Sequence, residues 1–210
     1  MAPLSLPDTQ GLKCPTFRPP RQLLEQNKAT LPEIYDWNGV HNPDHPLFVY
    51  DDDDEIRTIT WSQAVRMIHR AARYIRDRSQ LSSHDPFRLP VVGILASSDT
   101  ITYLCTMIGI MRAGFTFFAI SPRNSPEAVA HLLTKTETAF LLVSPESSTV
   151  TLAESASGII QSTGGVSPKI DRMPVFEDLC AAVDDVSFDS YPTVAHDGES
   201  VAMIFHSSGS

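Results

Sequence analysis

Between residues 91 and 143, short apolar runs alternate with segments of helical periodicity. Residues 91–96, 115–120 and 139–143 are continuous apolar stretches, as expected for strands buried on both faces of a sheet. The segments between them repeat apolar residues every three or four positions, which predicts helices. Strands and helices in alternation, with short connections, predict an α/β fold in which a mostly parallel sheet is flanked by helices.

Capping residues mark the ends of these helices. Ser98 or Asp99 is in position to cap the first helix, and Gly114 provides a left-handed end. The second helix is expected to begin after Ser125, where a proline and then an acidic residue suit the positive end of the helix dipole. Because these signals agree with the apolar pattern, the turns between strands and helices are expected to be short.

Ahead of the parallel region, two alternating segments predict an N-terminal β-hairpin. They cover residues 47–50 and 56–60 and enclose the acidic run 51–55, which we interpret as a solvated turn. The alternative is a calcium-binding loop, but the positions that would need Gly and Glu hold Ile56 and Ser62. The hairpin is therefore the favoured interpretation.

An amphipathic helix is predicted directly after the hairpin. Thr60 and Gln63 form a capping box at its start. Its apolar positions are Val65, Ile68, Ala72 and Ile75, and the residues assigned to its other faces are Arg66, His69, Arg70, Arg73, Arg76 and Arg78. The row of cations is compatible with an anion site, but a solvated face is the favoured interpretation.

Much of the remaining chain is predicted to be irregular. Residues 144–167 are rich in Ser, Thr and Gly and are assigned to a loop with a short helix over 152–160. Within it, residues 162–165 are interpreted as a surface loop and not as a phosphate cradle, because no clear strand precedes them. A short helix is predicted over 175–183, a turn over 36–39, and loop positions for His41 and His45.

Charge and cysteine content exclude several classes of function. The 210 residues carry 16 Lys and Arg against 25 Asp and Glu, a net charge of −9 that argues against nucleic-acid binding. Cys14, Cys105 and Cys180 are far apart and lack ligand spacing, so we expect reduced thiols and no metal site.

No membrane association is expected. The most apolar segment, residues 101–120, is interrupted by Arg112, Ala113 and Gly114, and the proline-rich N-terminus contains no signal-peptide core. These features predict a cytoplasmic protein.

The C-terminal residues carry the candidate chemistry. A predicted buried strand over 201–205 runs into His206 and then into Ser207, Ser208, Gly209 and Ser210. Hydroxyls and backbone N–H groups after a strand suit a phosphate chain, since glycine permits close approach. The alternative is a frayed terminal tail without a function.

Three segments together resemble the acyl-adenylate-forming (AMP-binding) superfamily. They are Ile59-Thr-Trp-Ser-Gln-Ala-Val65, Met111-Arg-Ala-Gly-Phe-Thr-Phe-Phe-Ala-Ile-Ser-Pro122 and Val201-Ala-Met-Ile-Phe-His-Ser-Ser-Gly-Ser210. Arg112 stands where the family usually has lysine, Ala119 where it has proline, and His206 where tyrosine is common. The version found here is most similar to fungal adenylate-forming reductases with a layout like that of nonribosomal peptide synthetases.

The resemblance implies a function and a set of ligands. Enzymes of this family activate a carboxylic acid with ATP and Mg²⁺ to form acyl-AMP, which then passes to the thiol of CoA or of a phosphopantetheine carrier domain. It assigns residues 30–210 to a partial adenylation domain that stops inside the phosphate-binding loop, after an extended proline-rich arm at 1–29. Ser207, Ser208, Gly209 and Ser210 would contact the nucleotide, and no catalytic residue is assigned within the chain.

Two hypotheses from different classes follow. The first is the N-terminal fragment of a carboxylate-activating enzyme, inactive on its own. The alternative is a stand-alone, non-catalytic α/β binding or regulatory module, which would fold cooperatively and, once folded, would not expose the apolar surface expected of a fragment. The third option, an unrelated α/β protein, requires the three segments to match by chance.

Overall fold

The computed structural model describes residues 17–25, 29–52, 55–81, 88–180, 190–192 and 200–206. The helices are α1 (Arg21–Glu25), α2 (Leu31–His41), α3 (Trp61–Ser79), α4 (Thr100–Arg112), α5 (Pro126–Lys135), α6 (Ser147–Ser162) and α7 (Phe176–Cys180). The strands are β1 (Pro46–Asp52), β2 (Glu55–Thr60), β3 (Val91–Leu95), β4 (Thr116–Ile120), β5 (Thr138–Val143), β6 (Lys169–Arg172) and β7 (Met203–Ile204).

Five strands form a parallel sheet in the order β6-β5-β3-β4-β7. The chain adds β4 on one side of β3 and then crosses over to add β5 on the other. Residues of α3 and α4 pack with one face of the sheet, and residues of α5 and α6 pack with the other. The predicted α/β class, with helices flanking a parallel sheet, is confirmed.

Large apolar side chains on β3, β4 and β5 explain why these strands are central. Phe117 and Phe118 project to opposite faces of β4, and both are fully buried, as is Phe140 on β5. Each such side chain contributes roughly 1.5–3 kcal/mol by leaving water. At the edge of the sheet, helices would cover one or both faces of these strands less completely. The apolar runs therefore favour central positions in the sheet.

The predicted caps are present where the structure describes them. Thr60 accepts from the backbone N–H of Gln63, whose side chain accepts from the N–H of Thr60, so the capping box is complete. Asp99 caps α4 by accepting from the N–H of Thr102 at 2.8 Å. The chain leaves α4 through Gly114, whose φ of 84° suits glycine.

The N-terminal hairpin is confirmed as the antiparallel pair β1 and β2. It forms a separate two-stranded sheet whose last registered pair is Asp52 with Glu55. Arg57 lies across the strands and contacts Asp52 at 2.9 Å. Residues 53 and 54 of the acidic run lie outside the described residues.

The loop predicted over residues 144–167 is wrong for most of its length. Ser147–Ser162 forms α6, a helix of 16 residues, and Lys169–Arg172 adds the unpredicted edge strand β6. The buried positions of α6 recur at helical spacing but are mostly small or hydroxylated: Thr149, Ala153, Ala156, Ser157 and Ile160. Because short side chains can fill a close contact with α5, the buried face lacks the large apolar residues that reveal an amphipathic helix. Residues 162–165 form the turn at the end of α6, consistent with a surface loop.

The turn predicted over residues 36–39 is also wrong. These residues lie inside α2, which begins at a capping box formed by Thr30 and Glu33. His41 is the last residue of that helix, and its ring stacks on Trp37 with centroids 4.0 Å apart. Of the segment predicted as an extended arm, the described part includes the short helix α1.

The two cysteines in the described residues are free thiols. Cys105 is buried in α4, and desolvation raises its pKa to about 12, so its thiol stays protonated at neutral pH. Cys180 is half-buried, with its sulfur 3.9 Å from that of Met67. Cys14 lies outside the described residues.

The contact between α3 and α4 depends on a glycine. A Cβ atom on Gly109 would lie 2.6 Å from the Cβ of Ala71 and 3.0 Å from the backbone nitrogen of Ala72. Real Cβ contacts are not that short, and backbone cannot move aside as a flexible side chain does. The two helices therefore approach closely only because residue 109 has no side chain.

We predict that Gly109→Ala lowers the free energy of unfolding by about 1–3 kcal/mol through overpacking. Gly158→Ala is the matched control, because it lies within α6 and has no atom within 4 Å of its Cβ position. The control is expected to gain about 0.5–1 kcal/mol from helix propensity. Urea unfolding followed by circular dichroism measures both. Equal effects of the two substitutions would contradict the close packing at Gly109.

Candidate functional site

All five parallel strands end at the same edge of the sheet, because parallel strands share a direction. The strand order reverses at β3, and ligands of open α/β sheets bind outside the carboxyl ends of strands near such a reversal. At this edge β3 leads into Ser97, β5 leads into Ser144, and β7 leads into Phe205 and His206. The carboxyl edge is therefore the place to search for a site.

The strand predicted over residues 201–205 pairs as expected but is not buried. β7 lies parallel to β4, with Met203 opposite Phe117 and Ile204 opposite Phe118. Val201, Met203 and Phe205 are 55%, 40% and 67% exposed. The prediction of a buried strand is wrong because β7 is an edge strand of only two residues, so its alternate side chains face solvent within the described part of the chain.

The end of β7 is oriented by two aromatic contacts. The ring of Phe205 meets Phe117 at 6.1 Å between centroids, and the ring of His206 meets Phe118 at 6.2 Å, both nearly edge to face. The predicted site residues, Ser207, Ser208, Gly209 and Ser210, lie outside the described residues. His206 is the last residue described, and it follows the carboxyl end of β7. The phosphate-binding role of the tetrapeptide remains a prediction.

A second part of the same edge is acidic. A cavity of about 380 Å³ lies elsewhere on the surface, beside His41 and His45, whereas one of about 260 Å³ opens between the ends of β3, β5 and β6. The edge cavity is lined by Ser97 and Ser144 and also by three carboxylates, those of Asp99, Glu146 and Glu177. A triphosphate would be repelled there. Electrostatics therefore favours the β4 and β7 side of the edge for a nucleotide.

Thr116 fastens the start of β7 to the sheet. Its hydroxyl donates to the carbonyl oxygen of Val201 at 2.6 Å, and the next residue, Phe117, donates its backbone N–H to Ala202 at 3.0 Å. Thr116 is buried, so its hydroxyl needs a hydrogen-bond partner, and the carbonyl oxygen of Val201 provides it. This is the first of two points at which residues between the end of α4 and the start of β4 hydrogen-bond the part of the chain that precedes β7.

The second point is a group of residues that we call the return anchor: Asp36, His69, Arg112 and the backbone of Tyr191. Arg112, at the end of α4, donates from Nε and Nη2 to the carbonyl oxygen of Tyr191 at 3.1 and 2.7 Å. Its Nη1 donates to Asp36 at 2.5 Å. The backbone N–H of Tyr191 donates to Nδ1 of His69 at 2.8 Å, and Nε2 of His69 lies 3.1 Å from Asp36.

Burial and hydrogen bonding set the protonation states of the return anchor. The side chain of Arg112 is 4% exposed and that of Asp36 is 32% exposed. Burial raises the pKa of Asp36, but the hydrogen bonds from His69 and Arg112 outweigh this effect and hold the pKa below its ordinary value of 3.8. For His69, desolvation lowers the pKa below 6.5 even though Asp36 opposes the change. The anchor therefore contains an ionised aspartate and a neutral histidine at pH 7.

Sequence reasoning missed most of the return anchor. The periodicity places His69 off the apolar stripe of α3 and among the cations, but its side chain is only 4% exposed, so this prediction is wrong. Arg112 interrupts an apolar segment and departs from a family motif, and neither feature predicts its contacts with Asp36 and Tyr191. A usable signal was the position of His69 directly after Met67 and Ile68, both of which are buried. A histidine next to an apolar stripe is normally hydrogen-bonded when buried.

Other arginines of α3 also make contacts that the pattern did not reveal. Arg70 donates to the carbonyl oxygen of Leu179 at 2.6 Å, and Arg76 lies over the ring of Phe115 at 5.3 Å. Arg78 pairs with Asp171 on β6 at 3.1 Å. These cations connect α3 to neighbouring elements, and their engagement weakens the anion-site alternative.

Comparison with known proteins identifies the family. A sequence model described as "AMP-binding enzyme" matches residues 35–210. That range covers most of the chain, and the chain therefore belongs to the AMP-binding family.

The most informative relative is a fungal adenylate-forming reductase. The chain is 42% identical over 214 residues to adenylate-forming reductase Nps10 of Heterobasidion annosum, covering 97% of this chain and 19% of Nps10. The resemblance to fungal adenylate-forming reductases that the three motif segments predicted is thus confirmed over a part of such a reductase. The chain spans 16–19% of the length of the curated relatives that it matches.

Solved structures agree with the fold. A long-chain-fatty-acid-CoA ligase, FadD1 from Archaeoglobus fulgidus, superposes with a TM-score of 0.62 at 18% identity, covering 87% of this chain and 35% of that one. NpsA-ThdA, an artificially fused adenylation-PCP di-domain from Klebsiella oxytoca, gives 0.59 at 15% identity, covering 85% and 28%. At these identities the likeness establishes the fold alone.

The described residues contain no group of three or more His, Cys, Asp and Glu side chains arranged to hold a metal ion. Within the same residues, no helix is long and apolar enough to cross a membrane.

We predict that Asp36→Asn lowers the free energy of unfolding by about 2–3 kcal/mol at pH 7, because it leaves the buried guanidinium of Arg112 without its carboxylate. A carboxylate with a lowered pKa stabilises the fold above its unfolded value of 3.8 and loses that contribution as the pH falls through the folded value. The difference between wild type and variant should therefore shrink below pH 3.8. Urea unfolding at a series of pH values measures it.

Asp171→Asn is the matched control, since Asp171 pairs with the half-exposed Arg78. Exposed pairs contribute little, so a loss of about 0–1 kcal/mol is expected. If Asp36→Asn costs no more than this control, the anchor does not stabilise the fold as described.

Proposed function

We propose that this chain is the N-terminal part of an ATP-dependent carboxylate-activating enzyme of the adenylate-forming reductase type. In the proposed reaction a carboxylate oxygen attacks the α-phosphorus of ATP, acyl-AMP forms and pyrophosphate leaves. A thiol then takes the acyl group. The observation that supports the proposal is the parallel pairing of β7 with β4, because it brings His206, the residue directly before the proposed phosphate-binding residues, to the carboxyl edge of the sheet.

Within that reaction we assign phosphate binding to Ser207, Ser208, Gly209 and Ser210. Three hydroxyls and a run of backbone N–H groups can donate to phosphate oxygens, and the glycine allows close approach. Donors aimed at a triphosphate stabilise the charge that develops during transfer. The donor set suits phosphate better than a metal ion, so Mg²⁺ is proposed to arrive with ATP and to neutralise part of its charge.

The similar proteins support a thiol as the acceptor of the acyl group. One similar structure is a fatty-acid-CoA ligase and another joins an adenylation domain to a PCP domain, so CoA and a carrier thiol are both reasonable acceptors. We favour a phosphopantetheine carrier domain because the relative with 42% identity is an adenylate-forming reductase. The substrate is proposed to be a carboxylic acid, and the enzyme is proposed to act in the cytoplasm without nucleic acid or membrane.

We propose that the 210-residue chain does not complete adenylation by itself. It spans only 16–19% of the length of the curated relatives, and the resemblance assigns the adenine pocket, the acyl pocket and the catalytic lysine to other parts of the enzyme. ATP–pyrophosphate exchange with a panel of aryl, fatty and amino acids tests this directly. Robust exchange by this chain would overturn the proposal that it is only one part of the machinery.

Nucleotide contact can be tested on this chain by NMR. We predict that millimolar Mg·ATP shifts the amide signals of His206, Ser207, Ser208, Gly209 and Ser210. The matched internal control is residues 162–165, Ser-Thr-Gly-Gly, a similarly hydroxylated and glycine-rich turn at the end of α6. Because α6 begins at the carboxyl edge of the sheet, its final turn lies toward the opposite edge.

The outcomes are distinct. Shifts confined to residues 206–210 support nucleotide binding at the end of β7. Equal shifts in both segments indicate nonspecific attraction to glycine-rich turns and contradict the assignment. An absence of shifts in residues 206–210 contradicts it as well.

A further inference from the structure

The return anchor lies where three helices meet the segment that leads back to β7. Asp36 comes from α2, His69 from α3 and Arg112 from α4, and all three converge on the backbone of Tyr191. Val201 lies ten residues after Tyr191, and its carbonyl oxygen accepts from the hydroxyl of Thr116. Both Tyr191 and the residue just before β7 are therefore held by hydrogen bonds.

Hydrogen-bond roles define the protonation state of His69. The backbone N–H of Tyr191 can only donate, so Nδ1 of His69 must accept with a lone pair. The proton of the neutral ring is then on Nε2, where it is donated to the carboxylate of Asp36. In this form, both ring nitrogens are satisfied although the side chain is only 4% exposed.

Protonation would break this arrangement at one specific atom. A proton on Nδ1 would face the N–H of Tyr191, so the hydrogen bond would become a repulsive contact between two donors. Among the described residues, the charged groups that act on the ring are Asp36 from α2, Arg112 from α4 and Arg73 from its own helix. Both arginines oppose a positive charge on the ring, as does its burial, so the charged ring is disfavoured while the anchor is intact.

We propose that His69 is a positioning residue that holds the backbone of Tyr191 while the ring is neutral and releases it on protonation. The inference rests on the proposed function only in that β7 leads to the proposed phosphate-binding residues. The hold on Tyr191 itself is a property of this chain and can be measured without nucleotide.

Two NMR measurements on the full chain test the proposal. Long-range ¹H–¹⁵N spectra report the tautomer, which we expect to be the Nε2–H form at neutral pH. Amide hydrogen exchange reports the opening of the Tyr191 contact, after correction for the intrinsic effect of pH. We expect the protection factor of Tyr191 to fall by about tenfold or more as the pH drops below 6.5, where free histidine becomes charged.

Two substitutions separate the two hydrogen bonds of the ring. His69→Asn places an amide near the position of Nδ1 and can accept from Tyr191, but it cannot titrate in this range. We expect it to keep much of the protection at Tyr191 and to remove its pH dependence. His69→Gln places its amide near the position of Nε2, so it can contact Asp36 but not Tyr191, and protection should be lost at every pH.

A control residue and a core reference keep the test specific. His131 on α5 is exposed, so His131→Asn should leave protection at Tyr191 and its pH dependence unchanged. The amides of Val92 and Ile94 in β3 report global unfolding, and they should keep their protection when Tyr191 loses it. Loss at Tyr191 with an intact β3 shows local release and not a failure to fold.

Three results would overturn the proposal. They are an Nδ1–H or charged ring at neutral pH, protection at Tyr191 that does not change with pH in the wild type, and equal protection in His69→Gln and wild type. Failure of the nucleotide assignment would appear separately, as missing shifts in residues 206–210 in the Mg·ATP titration. The two proposals can therefore fail independently.

Discussion

The pairing of β7 with β4 is the interaction on which the candidate site depends. β7 contributes only two residues to the sheet, of which Met203 is 40% exposed and Ile204 is partly buried. A strand this short gains little from burial, so its position is set by hydrogen bonds to β4 and by the side chain of Thr116. Without that pairing, His206 would have no fixed position relative to the carboxyl edge.

The connection between α4 and β4 explains how so short a strand is held. Over five residues, from Arg112 to Thr116, it supplies a buried guanidinium, a left-handed glycine, a fully buried phenylalanine and a buried hydroxyl. The guanidinium holds Tyr191 and the hydroxyl holds Val201. The segment that resembles a family motif therefore has a physical role in this chain, which is to hydrogen-bond the backbone at Tyr191 and at Val201.

The sequence pattern predicted the central elements because large apolar residues define them. The strands β3, β4 and β5, the caps of α3, α4 and α5, and the hairpin all follow from side chains with one dominant preference. α6 was mostly missed because its buried face uses Ala, Ser and Thr, which do not distinguish a helix from a loop by hydropathy. β6 was missed because Lys169, Asp171 and Arg172 are polar and the strand lies at the sheet edge.

The site was predicted only in part, for a different reason. Local pattern located the strand that ends in His206, but the return anchor joins residues 36, 69, 112 and 191, and no local pattern links positions so far apart. His69 shows the difficulty clearly, because its neighbours in sequence include several arginines and a solvated face was the simpler interpretation. Only the packing of α2 and α4 against α3 creates the enclosed environment that makes this histidine a structural hydrogen-bonding group.

The most direct measurement is the scalar coupling across the hydrogen bond between the amide nitrogen of Phe117 and the carbonyl carbon of Ala202. The structure predicts a detectable coupling, since these backbone groups are 3.0 Å apart and Phe117 is fully buried. The amide of Phe117 should also exchange slowly with solvent. An absent coupling with rapid exchange at Phe117 would show that β7 does not pair with β4, and the proposed nucleotide site would lose its structural basis.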